Sequence, residues 1–126
     1  MGKSPKILIA DRNRHVRDFL RREFMAAGYL VEVAKDGHEV LHLIDAGWGP
    51  DLIILDPEAP YLVELAVLLR LRERYPHLPI VIHSLGPDSV QAEDQATFFV
   101  EKKGETERLK VVVDRAIHSP NCSVSL

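Results

Sequence analysis

The chain has 126 residues, 46% of them hydrophobic and 28% charged, with a formal net charge of −3. That is enough chain for one domain with one core and too little for two. A mildly acidic balance disfavours tight binding to nucleic acid, which relies on phosphate neutralisation. The lone Cys122 excludes an internal disulfide, and no apolar run approaches the length of a membrane span.

The chain opens on MGKSPKILIAD, whose apolar run is too short for a secretory signal, so a cytoplasmic setting is expected. KILIA (6–10) is a strand candidate. A helix is predicted over 14–27, with Val16, Phe19, Leu20, Phe24 and Ala27 at helical spacing and Gly28 as the C-terminal stop. YLVEVA (29–34) alternates as a more exposed strand does. Residues 37–46 form a second helix with Val40, Leu41 and Ile44 inward. LIIL (52–55) is a third strand. A third helix is predicted over 63–75, burying Leu65, Leu68 and Leu69 and stopping before Pro76. IVIH (80–83) and FFVE (98–101) are the fourth and fifth strands. A last helix over 106–118 buries Leu109, Val112, Val113 and Ile117. Repeated strand–helix units imply an α/β fold, doubly wound, with helices on both faces of a five-stranded parallel sheet.

The stretch DLIILDPEAP (51–60) raises a question of charge. Leu52 to Leu55 do not alternate, which is the pattern of a strand buried on both faces, yet the strand ends in the carboxylate of Asp56. Ligand sites in such sheets lie at the carboxyl ends of the strands. Asp11, Asp56, Ser84 and Lys102 all fall at predicted strand ends, so two acids, a hydroxyl and a lysine should converge on one edge.

On these residues the chain resembles the response-regulator receiver domains of two-component signalling, with their CheY-like, flavodoxin-like fold. The resemblance runs from Lys6 to about His118 and implies strand order 2-1-3-4-5. It makes Asp56, in PDLIILD followed by Pro60, the phosphoacceptor. Asp11 matches the first member of the family's acidic pair, and Ser84 and Lys102 match the groups that sense the phosphoryl group. Phe99, three residues before Lys102, matches the aromatic switch position. The resemblance further implies Mg²⁺ on the acidic pair and the acceptor, and a sensor histidine kinase or phosphotransfer protein as partner. The protein is then a phosphorelay switch, a phosphoprotein rather than an enzyme.

Four positions depart from the family pattern. Arg12 stands where the second acid should follow Asp11. Lys103 replaces the proline after the lysine, and a cis bond without proline costs about 3–4 kcal/mol, so a trans bond is expected. Glu64 stands where a glycine normally opens the third helix. The stretch between Ser84 and Lys102 is short, so the fourth helix should span one or two turns beginning near Asp88. Arg12 cannot shed its charge. It should weaken any Mg²⁺ held by Asp11 and Asp56, and stand in as the pocket's cation. Glu58, two residues past the acceptor, either borders the pocket and partly replaces the missing acid or faces solvent.

Other signals have plainer readings. HEVLH (38–42) matches a zinc-hydrolase motif through His38, Glu39 and His42. However, Val40, Leu41 and Ile44 define the buried face and put the histidines at its edge. Arg12, Arg14, Arg17, Arg21 and Arg22 read as a solvated face or as a docking face for an acidic partner. His83 reads as a core or half-buried histidine. The first loop, DRNR, lacks the Ser, Thr and Gly residues of a nucleotide-phosphate cradle, and Asn13 stands where an Asp11-based phosphatase would want a second aspartate.

The expectation is therefore a single receiver domain over 1–126, with its core at about 6–118 and a flexible tail over 119–126. An alternative is a receiver-like module that binds its partner without being phosphorylated. The sequence does not name the partner, the output or the oligomeric state.

Overall fold

The computed structural model of the chain describes residues 4–85, 96–103 and 106–118. Five parallel strands form one sheet in the order β2-β1-β3-β4-β5. They are β1 (Lys6–Ala10), β2 (Leu30–Ala34), β3 (Leu52–Leu55), β4 (Ile80–Ser84) and β5 (Thr97–Glu101). The helices are α1 (Arg14–Ala26), α2 (Gly37–Asp45), α3 (Val67–Arg74) and α4 (Thr106–His118). The short helix expected near Asp88 and the tail over 119–126 lie outside the described residues.

Because side chains alternate along a strand, β1 and β3 feed two cores. Leu8, Ala10, Ile53 and Leu55 pack under α2 and α3 with Val40, Ile44, Val67 and Leu71. Ile7, Ile9, Leu52 and Ile54 pack on the other face under α1 and α4 with Leu20, Phe24, Leu109 and Val113. Burial on both faces explains why LIIL shows no polar alternation. The registers Ala10↔Leu55 and Ile9↔Ile54 align the ends of the two central strands, so Asp11 and Asp56 emerge side by side.

Local chemistry sets the helix ends. The Asn13 side chain caps α1 by accepting from the His15 and Val16 amides. The helix closes with the Tyr29 amide donating to Phe24 O, while Gly28 takes φ +100°. At α2, Asp36 accepts from the Glu39 amide and Glu39 Oε1 accepts from the Lys35 amide, a reciprocal arrangement close to a capping box. At the far end of α4's packing, Lys110 reaches Glu23 on α1 at 2.7 Å.

The third helix requires a correction. It was expected over 63–75 but spans Val67–Arg74. Residues 57–66 after the β3 turn run through successive turns, with Tyr61 at φ +66° and Ala66 at φ +50°. A left-handed residue at 66 ends any right-handed turn begun at Val63. The helix therefore starts one turn late and presents Val67 and Leu71 to the sheet, leaving Leu65 and Leu68 partly buried and Leu69 exposed. On α1, Phe19 is also not inward as its spacing predicts, but 40% exposed. No cis peptide bond occurs among the described residues, so Lys102–Lys103 is trans.

Candidate functional site at the carboxyl ends of the strands

Asp11 and Asp56 are almost fully enclosed, at 1% and 2% exposure. Neither carboxylate is left without donors, as burial of charge demands. The Asn13 amide donates to Asp11 Oδ1 at 2.9 Å, and Lys102 Nζ sits 3.0 Å from Asp11 Oδ2. The Glu58 amide donates to Asp56 Oδ1 at 3.0 Å and the Arg12 amide to Asp56 Oδ2 at 3.2 Å. Lys102 Nζ lies 3.5 Å from that same Oδ2. Asn13 and Glu58 thus turn back so that their amides hold the carboxylate two residues before them, while the Arg12 amide reaches across to Asp56.

Arg12 completes the mouth of the pocket. Its Nε lies 3.4 Å from Asp56 Oδ2, and its Nη1 donates to Glu58 Oε1 at 2.8 Å. The Glu58 hydrogen bond first, then the charge on Asp56, push the guanidinium pKa above its already high value. Glu58 combines features of both readings: its carboxylate pairs with Arg12 at the mouth of the pocket, while its side chain is largely exposed. Arg17, from one turn into α1, donates from Nη1 to the Asp11 carbonyl at 2.9 Å. No sequence signal marks this contact, because residues 11 and 17 meet only through the angle at which α1 leaves β1.

Ser84 is buried at the end of β4, and its carbonyl accepts from the Lys102 amide at 2.7 Å. Lys102, Asp11, Asp56 and Ser84 therefore do come together. Phe99 lies on β5 opposite Ile82 and is 46% exposed, with its ring away from the core. His83 is buried beside Ser84. Burial first, then the Lys102 ammonium, push its pKa down to about 4, against the pull of Asp11 and Asp56. It is neutral at neutral pH, and its Nδ1 has no hydrogen-bond partner.

Mg²⁺ prefers near-octahedral oxygen ligands at about 2.0–2.1 Å, most of them water or carboxylate. Here the Asp11 and Asp56 oxygens that would face an ion are taken up by Lys102, Arg12 and backbone amides. Among the described residues no group of three or more His, Cys, Asp or Glu side chains is placed to hold a metal. Two carboxylates can serve Mg²⁺ together with water, but here Lys102 and Arg12 compete for the same oxygens. At the zinc-hydrolase motif, the His38 ring packs at a tilt against Tyr61, with 4.7 Å between ring centroids, and Glu39 is engaged at the start of α2. Among the described residues no helix is long and apolar enough to cross a membrane.

Comparison with known proteins agrees with this geometry. The family described as "Response regulator receiver domain" matches residues 7–114. Among curated proteins, the response regulator MprA of Mycolicibacterium vanbaalenii is 44% identical over 77 residues, covering 61% of this chain and 33% of that protein. The chain spans about a third of the length of such relatives. Among solved structures, the signal receiver domain of an HD domain-containing protein from Pseudomonas fluorescens Pf-5 superposes with a TM-score of 0.82 at 20% identity, covering 94% of this chain and 98% of that one. The response regulator TrrA of Thermotoga maritima, solved with Mg²⁺ and BeF, superposes with a TM-score of 0.74 at 28% identity, covering 88% and 97%.

Proposed function

Because this chain belongs to the response regulator receiver domain family of two-component systems, we propose that Asp56 is its phosphoacceptor and that Arg12 restrains its use. The reading is carried by one observation: Arg12 holds Asp56 Oδ2 through both its amide and its side chain. In a phosphoryl transfer, an Asp56 oxygen forms a bond to phosphorus as the donor's bond to phosphorus breaks, and the leaving group keeps that electron pair. Such a transfer needs positioning and neutralised charge more than covalent help. Lys102 and Arg12 supply positive charge at the pocket. Arg12 also occupies the mouth through which the donor must come, so Asp56 reacts slowly with small phosphodonors. Ser84 and Lys102 would receive the new phosphoryl oxygens, and Phe99, exposed on β5, would carry the change to the surface.

Receiver domains are signalling modules and generally not enzymes, and regulators of this family work with histidine kinases or phosphotransfer proteins. For this chain we take the exposed Arg14, Arg21 and Arg22 on α1 as part of the docking face for such a partner, in the cytoplasm. The Arg12–Asp56 contact also favours a second reading, a module that binds its partner without being phosphorylated.

Intact-mass measurement after incubation with a small phosphodonor, with and without Mg²⁺, tests both. The native chain should gain the phosphoryl mass slowly and with little dependence on Mg²⁺. Arg12→Asp should gain it faster and only with Mg²⁺, and Asp56→Asn in that background should not gain it. Rapid Mg²⁺-dependent phosphorylation of the native chain would overturn the restraint by Arg12. Absence of the added mass from both the native chain and Arg12→Asp would leave the phosphorylation-independent reading.

A further inference from the structure

The segment that joins β3 to α3 is a helix broken at one residue. The Leu65 amide donates to Tyr61 O at 3.2 Å, as in a helical turn. The Ala66 amide then donates to Val63 O at 3.0 Å and the Val67 amide to Leu62 O at 2.9 Å. That pair of bonds is the Schellman arrangement that ends a helix, with Ala66 as its left-handed residue at φ +50° and ψ +46°. Yet α3 begins at the next residue, and Ala66 gives it no side-chain cap. One residue thus ends one turn and starts the next helix.

The break is held by its surroundings rather than preferred locally. Glycine usually fills a left-handed position because L side chains disfavour it, yet Tyr61 and Ala66 both take positive φ here. Residues 61–75 contain no Gly or Pro, so nothing local forbids one right-handed helix through residue 66. The opposing contacts lie at the near end. The Glu58 amide is held by Asp56 Oδ1 at 3.0 Å. Pro60 O accepts from the Gly37 amide at 2.8 Å, and the Tyr61 ring packs against His38. Leu62 and Val67 are buried in the same core. Turning residue 66 right-handed swings the 62–65 turn onto the axis of α3 and pulls on all of these. Strained backbone persists only where its surroundings over-determine it, and it recurs in switch regions.

We propose that residues 57–66 are a two-state element, broken at Ala66 in the major state and continuous with α3 in a minor one, and that Asp56 favours the break through the Glu58 amide. Minor states of this kind are populated at about 0.1–10%. Linkage is reciprocal, so a change at Asp56 shifts the helix, and a change at residue 66 loosens the hold on Asp56. On the reading of Asp56 as phosphoacceptor, a phosphoryl group alters the carboxylate that the Glu58 amide holds and so reaches α3. The two-state element itself stands without that reading.

Relaxation dispersion on the isotopically labelled chain gives the minor population, and backbone couplings at residue 66 give its hand. The native chain should show exchange confined to residues 57–67. Ala66→Gly, which eases the left-handed state and weakens the helix, should lower the minor population at least about tenfold. Ala66→Val, at an exposed position, should raise it about fivefold, since a branched side chain fits the left-handed region badly. Asp56→Ala should also raise it about fivefold, whereas Asp56→Asn, which keeps an oxygen for the Glu58 amide, should stay within about twofold of native. Absence of exchange in both the native chain and Ala66→Val, with residue 66 left-handed in each, would overturn the two-state element. Equal populations in Asp56→Ala and Asp56→Asn would overturn its link to the acceptor. If Asp56→Ala fails to fold, hydrogen exchange at the Glu58 amide decides the link: it should be faster in Ala66→Val than in Ala66→Gly, and equal rates would overturn it.

Discussion

Lys102 Nζ lies 3.0 Å from Asp11 Oδ2, a contact between the ends of β5 and β1, which are separated in the sheet by β3 and β4. The same ammonium lies 3.5 Å from Asp56 on β3. One long side chain thus ties two buried carboxylates across the top of the sheet. Removing one partner of a buried ion pair strands the other in a medium that solvates it poorly. Lys102→Met should therefore destabilise the fold by about 2–4 kcal/mol, somewhat below the usual cost because Arg12 and the backbone amides remain. Urea unfolding at neutral pH measures it, and a loss under about 1 kcal/mol would show that the amides alone suffice.

His83 predicts a stability that falls with acid. Its folded-state pKa is about 4, against about 6.5 for an unperturbed histidine. Above the unfolded value the imidazole is neutral in both states and contributes nothing. As pH drops from there to about 4, the unfolded chain takes up a proton that the folded one refuses, so stability declines. Between pH 7.5 and 5 the native chain should lose about 2 kcal/mol more than His83→Leu. Parallel pH profiles for the two proteins would contradict the buried, neutral imidazole.

Gly37 opens α2 under the loop that follows the acceptor. A Cβ built there would stand 2.5 Å from the Tyr61 carbonyl oxygen and 3.0 Å from Val67 Cγ2. The first of these is backbone, held by a turn whose neighbouring carbonyl, Pro60 O, accepts from the Gly37 amide. Gly37→Ala should cost about 2–3 kcal/mol through overpacking. An alanine tolerated within about 0.5 kcal/mol would mean that the loop yields easily.

Ala66 carries the left-handed conformation just before α3, with φ +50° and ψ +46°. An L-residue pays about 1–2 kcal/mol for that geometry, and glycine does not. Even after the extra freedom of glycine in the unfolded chain, Ala66→Gly should raise stability by about 0.5 kcal/mol. The same replacement at the exposed mid-helix Arg70 should instead lower it by about 1 kcal/mol. Thermal unfolding of the two variants compares the signs directly, and a loss at both sites would place residue 66 in a right-handed turn.

The sequence by itself determined the sheet, its five strands and the four helices seen here. Apolar runs such as LIIL and periodic stretches such as HVRDFLRREF encode burial directly, and burial is what organises layers. It also placed Asp11, Asp56, Ser84 and Lys102 on one edge, because strand ends in a parallel sheet share that edge whatever the details. The late start of α3 was not legible, since Val63 to Tyr75 has the composition of a helix and nothing in it announces a left-handed residue at 66. Phe19 was misplaced for a related reason: spacing shows which face of α1 is apolar but not how far the sheet beneath extends. Sequence raised Arg12 as a cation beside the acceptor, while only the tertiary structure decided that it reaches Asp56 and Glu58 together. The unmatched Nδ1 of His83 likewise depends on how the helices, distant in the chain, come to rest against the sheet. Contacts of that kind are set by packing angles and side-chain reach, which no local pattern records.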